Sequence, residues 1–532
     1  MPSSVITKSW IRKLTIGLYI GGLVIIGGVL FLPDQLSFLQ NFTTPHQIEH
    51  ASADKTLMIG FSSFPQSLDP IRFDPVTRSY LTDIYQGLVI TDRNLKIESG
   101  VAVSWGMIDP LTWEFRLRPN VKFHNGKLVT PGDVKFSLDR ARADEASQLR
   151  DLLNTIVSVE TIGQDRVIVK TQVPDPLLLT KLAVTAITPE DMTNYEKPIG
   201  TGPYRVVAQD AQSITLQTFD DYWDGKPYYL SVKLQSIPDR DDRVQALEKG
   251  TLDLLANVPP NVACSLVQRT TSSQVCEKLN TQDYTIAAVP SLEVTFLMLN
   301  QQNELLQDVN VRKALRTVFD RDDLTAILYG FARPAGQFVS NGVFGFAPEI
   351  QNVKFNLTDA KNQLDQIFAS LFSAPEIGLD YPESLQSLAD IVQSQMADAG
   401  IVVDLHPLTD SELLQKIQNE EPDMYLLGWK SELGDAFDFL KSVAHSKNMQ
   451  IGYGQFNGTH YLNPAVDELI EASEQNLEPV KRLQQMQQAM KILTEEDVIG
   501  VPLYESETLF ASKKSIQFVP PVDGYIHPSD IR

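Results

Sequence analysis

Cysteine is almost absent from this 532-residue chain, which holds only Cys264 and Cys276. That excludes a disulfide scaffold and a cysteine-rich metal centre. The two lie close enough along the chain for one bridge if the protein is exported; in a reducing compartment they stay reduced in a core. The seven histidines (His46, His50, His124, His406, His445, His460 and His527) form no Cys–His ligand set, and neither a metal nor a cofactor is expected. Positive charge is also short, with Lys+Arg 45 against Asp+Glu 67 and a net charge of −22. Such a surface repels phosphates, so nucleic acid is not an expected partner. Catalytic signatures are missing: there is no Gly-x-Ser-x-Gly elbow, phosphate loop or zinc-binding helix. Acidic pairs such as Asp241-Asp242 and Glu495-Glu496 belong on solvated faces, so no enzyme activity is expected.

Long apolar runs are missing as well, with one exception. Leu14 to Leu32 reads LTIGLYIGGLVIIGGVLFL, nineteen residues without a charge. As a helix it would reach ~28 Å, close to the thickness of a bilayer's hydrocarbon core. Lys8, Arg12 and Lys13 precede it, which holds that flank in the cytoplasm and places the remainder outside. No cysteine follows to accept a lipid. The nearest Ala-x-Ala, Ala51-Ser52-Ala53, lies too far on for usual cleavage. An uncleaved single-pass anchor at 14–32 fits best, with a cleaved signal as its rival. Residues 1–13 are then cytoplasmic and the aperiodic 33–54 a stalk.

The chain as a whole has an ordinary globular composition, 43% apolar and 21% charged, and the periodicity beyond the stalk reads as mixed α/β. Thr56 to Phe61 reads as a buried strand, Leu81 to Leu88 as a helix, and Trp113 to Leu117 as an alternating strand. Thr130-Pro131-Gly132-Asp133 is a helix start, with Thr130 as cap, Pro131 at the first position and Asp133 completing a capping box. Thr295 to Leu299 is strand-like. Val311, Leu315 and Val318 recur at helical spacing, Asp320 starts a further helix, and Asn463-Pro464 opens another.

Several segments stand in a telling order. They are Ser67-Leu68-Asp69-Pro70, Tyr85 to Val89, Ser104-Trp105, and WEFRLRPNVKFHNGKLVTPGDVKFSLDR from Trp113 to Arg140. Gly200-Thr201-Gly202-Pro203-Tyr204, Asp221 to Pro227, Ala246 to Asp253, Val311 to Leu315, Gly428-Trp429 and Val501 to Tyr504 follow. In number and order this series resembles the family 5 solute-binding proteins, the oligopeptide-, dipeptide- and nickel-binding subunits of ABC importers. Read from the residues alone, the glycines and prolines set turns, and Trp105, Trp113 and Trp223 are packing aromatics.

The resemblance implies a two-lobed, periplasmic-binding-protein-like α/β fold with an extra domain, beyond the transmembrane helix. Lobe I would comprise 55–90, 195–285 and 490–532, the extra domain 91–194, and lobe III 286–489. It also implies a monomer that closes on a peptide and delivers it to a permease and ATPase complex. In peptide-binding relatives the ligand pairs with strand edges, and a buried carboxylate holds its free amino end. That carboxylate follows the Gly-Trp motif, where this chain reads Gly428-Trp429-Lys430-Ser431-Glu432-Leu433-Gly434-Asp435-Ala436. Glu432 stands where these relatives usually have Asp, and Ala436 replaces a usual Pro. Glu432 is the expected ammonium partner; the other reading makes it a solvated loop charge neutralised by Lys430. Gly428, Trp429, Lys430 and Ser431, the exit of the first strand at Phe64 and Gln66, Asp435 and Tyr504 are further contact candidates. No cation for a ligand carboxylate stands out between Arg333 and Lys441. Binding of nickel or a metal chelate, and a membrane receptor without a transport role, are the alternatives.

Overall fold

The computed structural model describes residues 56–267, 281, 283–369 and 373–532. The expected anchor at 14–32 and Cys276 lie outside these residues, and Cys264 is buried in the helix Pro260–Val267. No helix among the described residues is long and apolar enough to cross a membrane.

The capping box forms as read. The Thr130 backbone N–H donates to the Asp133 carboxylate at 2.8 Å and Asp133 N–H donates to the Thr130 hydroxyl at 3.3 Å, starting the helix Pro131–Ala143. Val134, Leu138 and Ala141 of that helix are buried against a four-stranded sheet of Ala102–Asp109, Thr112–Leu117, Arg166–Thr171 and Ile156–Ile162. Asn463 caps Pro464–Glu474 and Asp320 caps Arg321–Ala326, each by a side-chain bond to a backbone N–H.

The larger sheet has 11 strands. Its path runs Val402–Leu408, Glu376–Pro382, Met424–Lys430, Tyr284–Leu299, Gly500–Lys513, Leu254–Leu255, Thr56–Phe61, Ser231–Ser236, Ser213–Thr218 and Tyr204–Gln209; Ala332–Pro334 adds to Gly500–Lys513 off this path. Two long strands, Tyr284–Leu299 and Gly500–Lys513, pair with each other and pass through both lobes. In the second lobe Phe296 and Met298 face one core while Leu297 and Leu299 face another. Covering on both faces explains the unbroken apolar run there. The first lobe packs around Leu57, Ile59, Tyr80, Leu234 and Phe510.

Between the lobes the ladder of the two long strands slips, with a register break from Pro290 to Val294. Leu292 adopts φ 59° there, a left-handed conformation that a branched side chain rarely takes. This is where the crossing strands can bend.

One expected element moves. The helix runs over Pro75–Leu81, started by Asp74, rather than over Leu81 to Leu88. The chain cannot coil on because the carbonyls of Asp83 and Ile84 accept the N–H groups of Tyr204 and Gly202 at 3.1 and 3.0 Å. A Cβ at Gly200 would lie 2.0 Å from the Ile84 oxygen, and one at Gly202 2.2 Å from the Asp83 oxygen. The Gly-Thr-Gly turn is therefore built for backbone-to-backbone approach. His124 fastens it: Gly200 N–H donates to Nδ1 at 3.2 Å, so Nε2 carries the proton and donates to the Gly202 carbonyl at 3.0 Å. Burial, which lowers the imidazole pKa to about 4, keeps it neutral.

Candidate functional site

Strand Met424–Lys430 ends at the lobe boundary, antiparallel to Tyr284–Leu299 with Lys430 opposite Glu293 and Gly428 opposite Thr295. The Ser431 N–H donates to the Leu292 carbonyl at 3.0 Å. This ties the loop that follows to the strained hinge residue. Glu432 comes next. Its carboxylate is no solvated loop charge: it meets Arg78 of the first-lobe helix at 2.7 Å, with side-chain exposures of 28% and 16%.

Arg78 is tightly held. Its guanidinium stacks 4.3 Å from the ring of Phe73 and 4.3 Å from that of Tyr525. Lys430 Nζ lies 3.3 Å from the other Glu432 oxygen and 3.4 Å from the Asp523 carbonyl. The Tyr525 hydroxyl stands 3.5 Å from Glu432. A cavity of about 140 Å³ lined by Phe73, Arg78, Asp523 and Tyr525 opens on the first-lobe side. A second, about 490 Å³, lies between Leu95, Met107, Trp113 and Leu177 on one side and Phe344 and Leu433 on the other.

Two more carboxyls, Glu293 and Asp438, lie close enough to feel the charge of Glu432. A Cβ at Gly428 would lie 2.4 Å from Glu293 Oε1, so glycine is what lets the Glu293 side chain lie across the strand. Burial raises the Glu293 pKa, opposed by Lys430 and aided by Glu432. Burial also lifts Asp438 to about 7, opposed by the Trp429 indole N–H and aided by Asp435 and Glu432. That N–H approaches Asp438 without forming a full hydrogen bond, and the Ser431 hydroxyl, on a residue 1% exposed, has no partner either. A buried hydroxyl without a partner, next to Glu432, is a group that a ligand would satisfy.

The other candidates disperse. Asp435 is engaged within its own lobe: both its oxygens are taken by Arg482, at 2.6 and 2.9 Å, and both side chains are buried. Tyr504 is 4% exposed within Gly500–Lys513, with its hydroxyl bonded to Thr295, and belongs to the core. Phe64 packs edge-on against Tyr80 at 5.3 Å, and Gln66 is exposed, so neither touches Glu432. Trp429 is half-buried against Phe439 and Phe456, at 6.4 and 5.9 Å. Arg333 pairs with Glu507 and Lys441 with Glu474. The cation that reaches Glu432 from the first lobe is Arg78, which the sequence reading missed; its partner is 354 residues away and no local pattern marks it.

The motif residues outside the cleft are structural. Asp69 takes Arg140 in two bonds, at 2.9 and 2.5 Å. The Trp223 indole donates to Gln86 at 3.0 Å under the guanidinium of Arg118. Arg312 donates to the carbonyls of Leu306, Gln307, Asp497 and Val498.

Comparison with known proteins agrees with this architecture. The family model described as bacterial extracellular solute-binding proteins, family 5 Middle, matches residues 96–450. A glutathione-binding protein of Salmonella paratyphi A is 24% identical over 488 residues, covering 88% of this chain and 92% of that one. A nickel-binding protein of Staphylococcus aureus is 28% identical, covering 79% and 82%. The oligopeptide-binding protein AppA from Bacillus subtilis, solved with a nonapeptide, superposes with a TM-score of 0.68 at 24% identity over 90% of this chain and 98% of that one. Proteins of this family are the substrate-binding receptors of ABC importers and act outside the cytoplasm. With two thirds of its length matched and the two-lobed fold in place, the chain belongs to the family 5 bacterial extracellular solute-binding proteins.

Proposed function

We propose that this receptor captures short peptides between its lobes and holds the free amino end at Glu432. The observation that carries this reading is the position of Glu432, a half-buried carboxylate at the lobe boundary next to Ser431, whose buried hydroxyl has no partner. A buried ammonium needs such a counter-charge. The end of strand Met424–Lys430, half-buried and paired beyond Tyr425 only with Tyr284–Leu299, suits backbone pairing with an extended ligand. The cavities beside Arg78 and Leu433 give its side chains room. The glutathione-binding relative and the nonapeptide-bound structure favour peptides; the nickel-binding relative favours a metal chelate as the second reading.

Native mass spectrometry of the full-length chain in detergent, after exposure to a mixed peptide digest, tests this. Peptide masses should be retained. Adducts formed only with nickel chelates would overturn the peptide reading.

We read residues 14–32 as an uncleaved anchor that keeps the receptor, as a monomer, at the membrane beside its permease and ATPase. The nineteen-residue uncharged run with its basic flank supports this. Mature protein that starts after residue 32 and washes off membranes at high pH would refute it.

A further inference from the structure

The turn that joins Val89–Thr91 to Ile97–Ser99 carries Leu95 at φ 63°, in the left-handed region where glycine or asparagine is usual. The Leu95 N–H donates to the Asp92 carbonyl at 3.0 Å, a bond that any residue at this position could make. What is particular to leucine is its side chain, and that finds its partners in the second lobe. A Cβ at Gly434, itself at φ 66°, would stand 2.6 Å from Leu95 Cδ1, and Leu95 packs against the second-lobe core together with Leu177. A branched side chain kept in a strained conformation marks a contact that matters more than an easy turn.

Leu95 and Leu177 form one side of the cavity of about 490 Å³ that Leu433 and Phe344 close from the other. Met107 and Trp113, opposite each other on neighbouring strands, line it as well. Among the described residues of this lining only Asp435 and Arg482 are charged, and they neutralise each other through two hydrogen bonds. Asn94, Thr180 and Asn476 add uncharged polar edges. A charged group entering here would lose its water without meeting a free counter-charge, whereas an apolar group would gain by burial. The volume lies within the ~300–1,000 Å³ of small-molecule pockets. Its wall begins at Leu433, the residue after Glu432 and so about 3.8 Å along the chain.

The geometry points to a side-chain pocket, walled by Leu95 and Leu433, that selects ligands with a large apolar or aromatic side chain on one of the first two residues from the amino end. An extended chain advances about 3.3–3.6 Å per residue, which puts those two side chains nearest to Leu433 when the amino end is at Glu432. This rests on the reading of Glu432 as the amino seat. Leu95 is the selecting residue, because it reaches from the hairpin turn onto the second lobe and completes the apolar wall there.

The test is calorimetric titration of the full-length chain with trialanine, Phe-Ala-Ala, Ala-Phe-Ala and Ala-Glu-Ala, each with its amino end free and acetylated. One of the two phenylalanine peptides should bind at least about tenfold tighter than trialanine, the order of affinity that burial of a phenyl ring supplies. Ala-Glu-Ala should bind no tighter than trialanine. Leu95→Asn places a residue that accepts a positive φ in the turn, and thermal melts establish that it folds. It should lose the phenylalanine preference while binding trialanine as the wild type does. Leu433→Asn, on the opposite wall, should do the same, and Leu95→Met should keep most of the preference. Phenylalanine peptides that bind no tighter than trialanine, or a preference that survives both asparagine variants, overturn the pocket. Acetylation reads the amino seat separately. Weaker binding of every acetylated peptide without a phenylalanine preference overturns the pocket alone, whereas a preference at affinities that acetylation leaves unchanged overturns the amino seat alone. Failure of every probe to bind overturns both.

Discussion

Asp435 and Arg482 form a two-bond ion pair, 2.6 and 2.9 Å, inside the second lobe, where water hardly reaches either side chain. Arg482 also donates to the Ser473 carbonyl at 3.0 Å. The pair ties the loop after Glu432 to the helix Pro479–Lys491. Removing one partner leaves the other charged and buried. Arg482→Ala should therefore lower stability by about 3–5 kcal/mol, read as a shift in the urea midpoint. An apolar replacement of both residues, Asp435→Leu with Arg482→Met, should cost much less than either single change.

Arg312 serves four carbonyls at once, those of Leu306, Gln307, Asp497 and Val498. Arg312→Ala should cost about 3 kcal/mol or more, since each orphaned buried carbonyl loses roughly a hydrogen bond's desolvation. Thermal unfolding measures it. Ligand affinity measured well below the melting temperature should stay unchanged, because Arg312 lies away from the cleft.

Gly428→Ala should displace the Glu293 carboxylate, whose oxygen would stand 2.4 Å from the new methyl group. The contact is with the end of a flexible side chain, so the fold should lose only about 1 kcal/mol or less. Ligand affinity should change more than stability does. In a Glu293→Ala background the same substitution should have almost no effect on either, a coupling that a double-mutant cycle detects.

His527 gives a pH dependence of definite sign. Burial disfavours its charged form, but the hydrogen bond and charge of Asp83, with Asp523 and Asp530, outweigh that and raise its pKa to about 9. Asp83 also accepts the Ser529 N–H at 2.7 Å. The contribution to stability is complete below about pH 6.5, the unperturbed value, and is lost as pH rises through 9. Hydrogen exchange in the C-terminal segment, corrected for intrinsic rate, should speed up across that window. Asp83→Asn should flatten the dependence.

These cases also mark what the sequence could reveal. The capping box at Thr130 and Asp133 was legible because its partners are three residues apart. The same holds for the caps at Asp320 and Asn463, and the motif order announced the fold. The helix expected at Leu81 to Leu88 failed for a tertiary reason: Gly202 and Tyr204 claim the carbonyls that coiling would use. At the site, Glu432 was legible by its place after Gly428-Trp429, and the structure brings it to the lobe boundary. Asp435 in the same loop was a further candidate, and only the fold shows that Arg482 has claimed it. Arg78 was invisible, since a cation on a short helix acquires its meaning from a loop in the other lobe.

The most direct measurement compares wild type and Glu432→Gln for binding of one tripeptide with a free amino end and of its N-acetylated form, by titration calorimetry at neutral pH on the full-length chain. Wild type should bind the free peptide tightly and the acetylated one weakly. Glu432→Gln should weaken the free peptide by about tenfold or more, the worth of one buried charge-assisted bond, and leave the acetylated one nearly unchanged. Equal losses for both forms, or no loss for either, would contradict the claim that Glu432 holds the ligand's amino end.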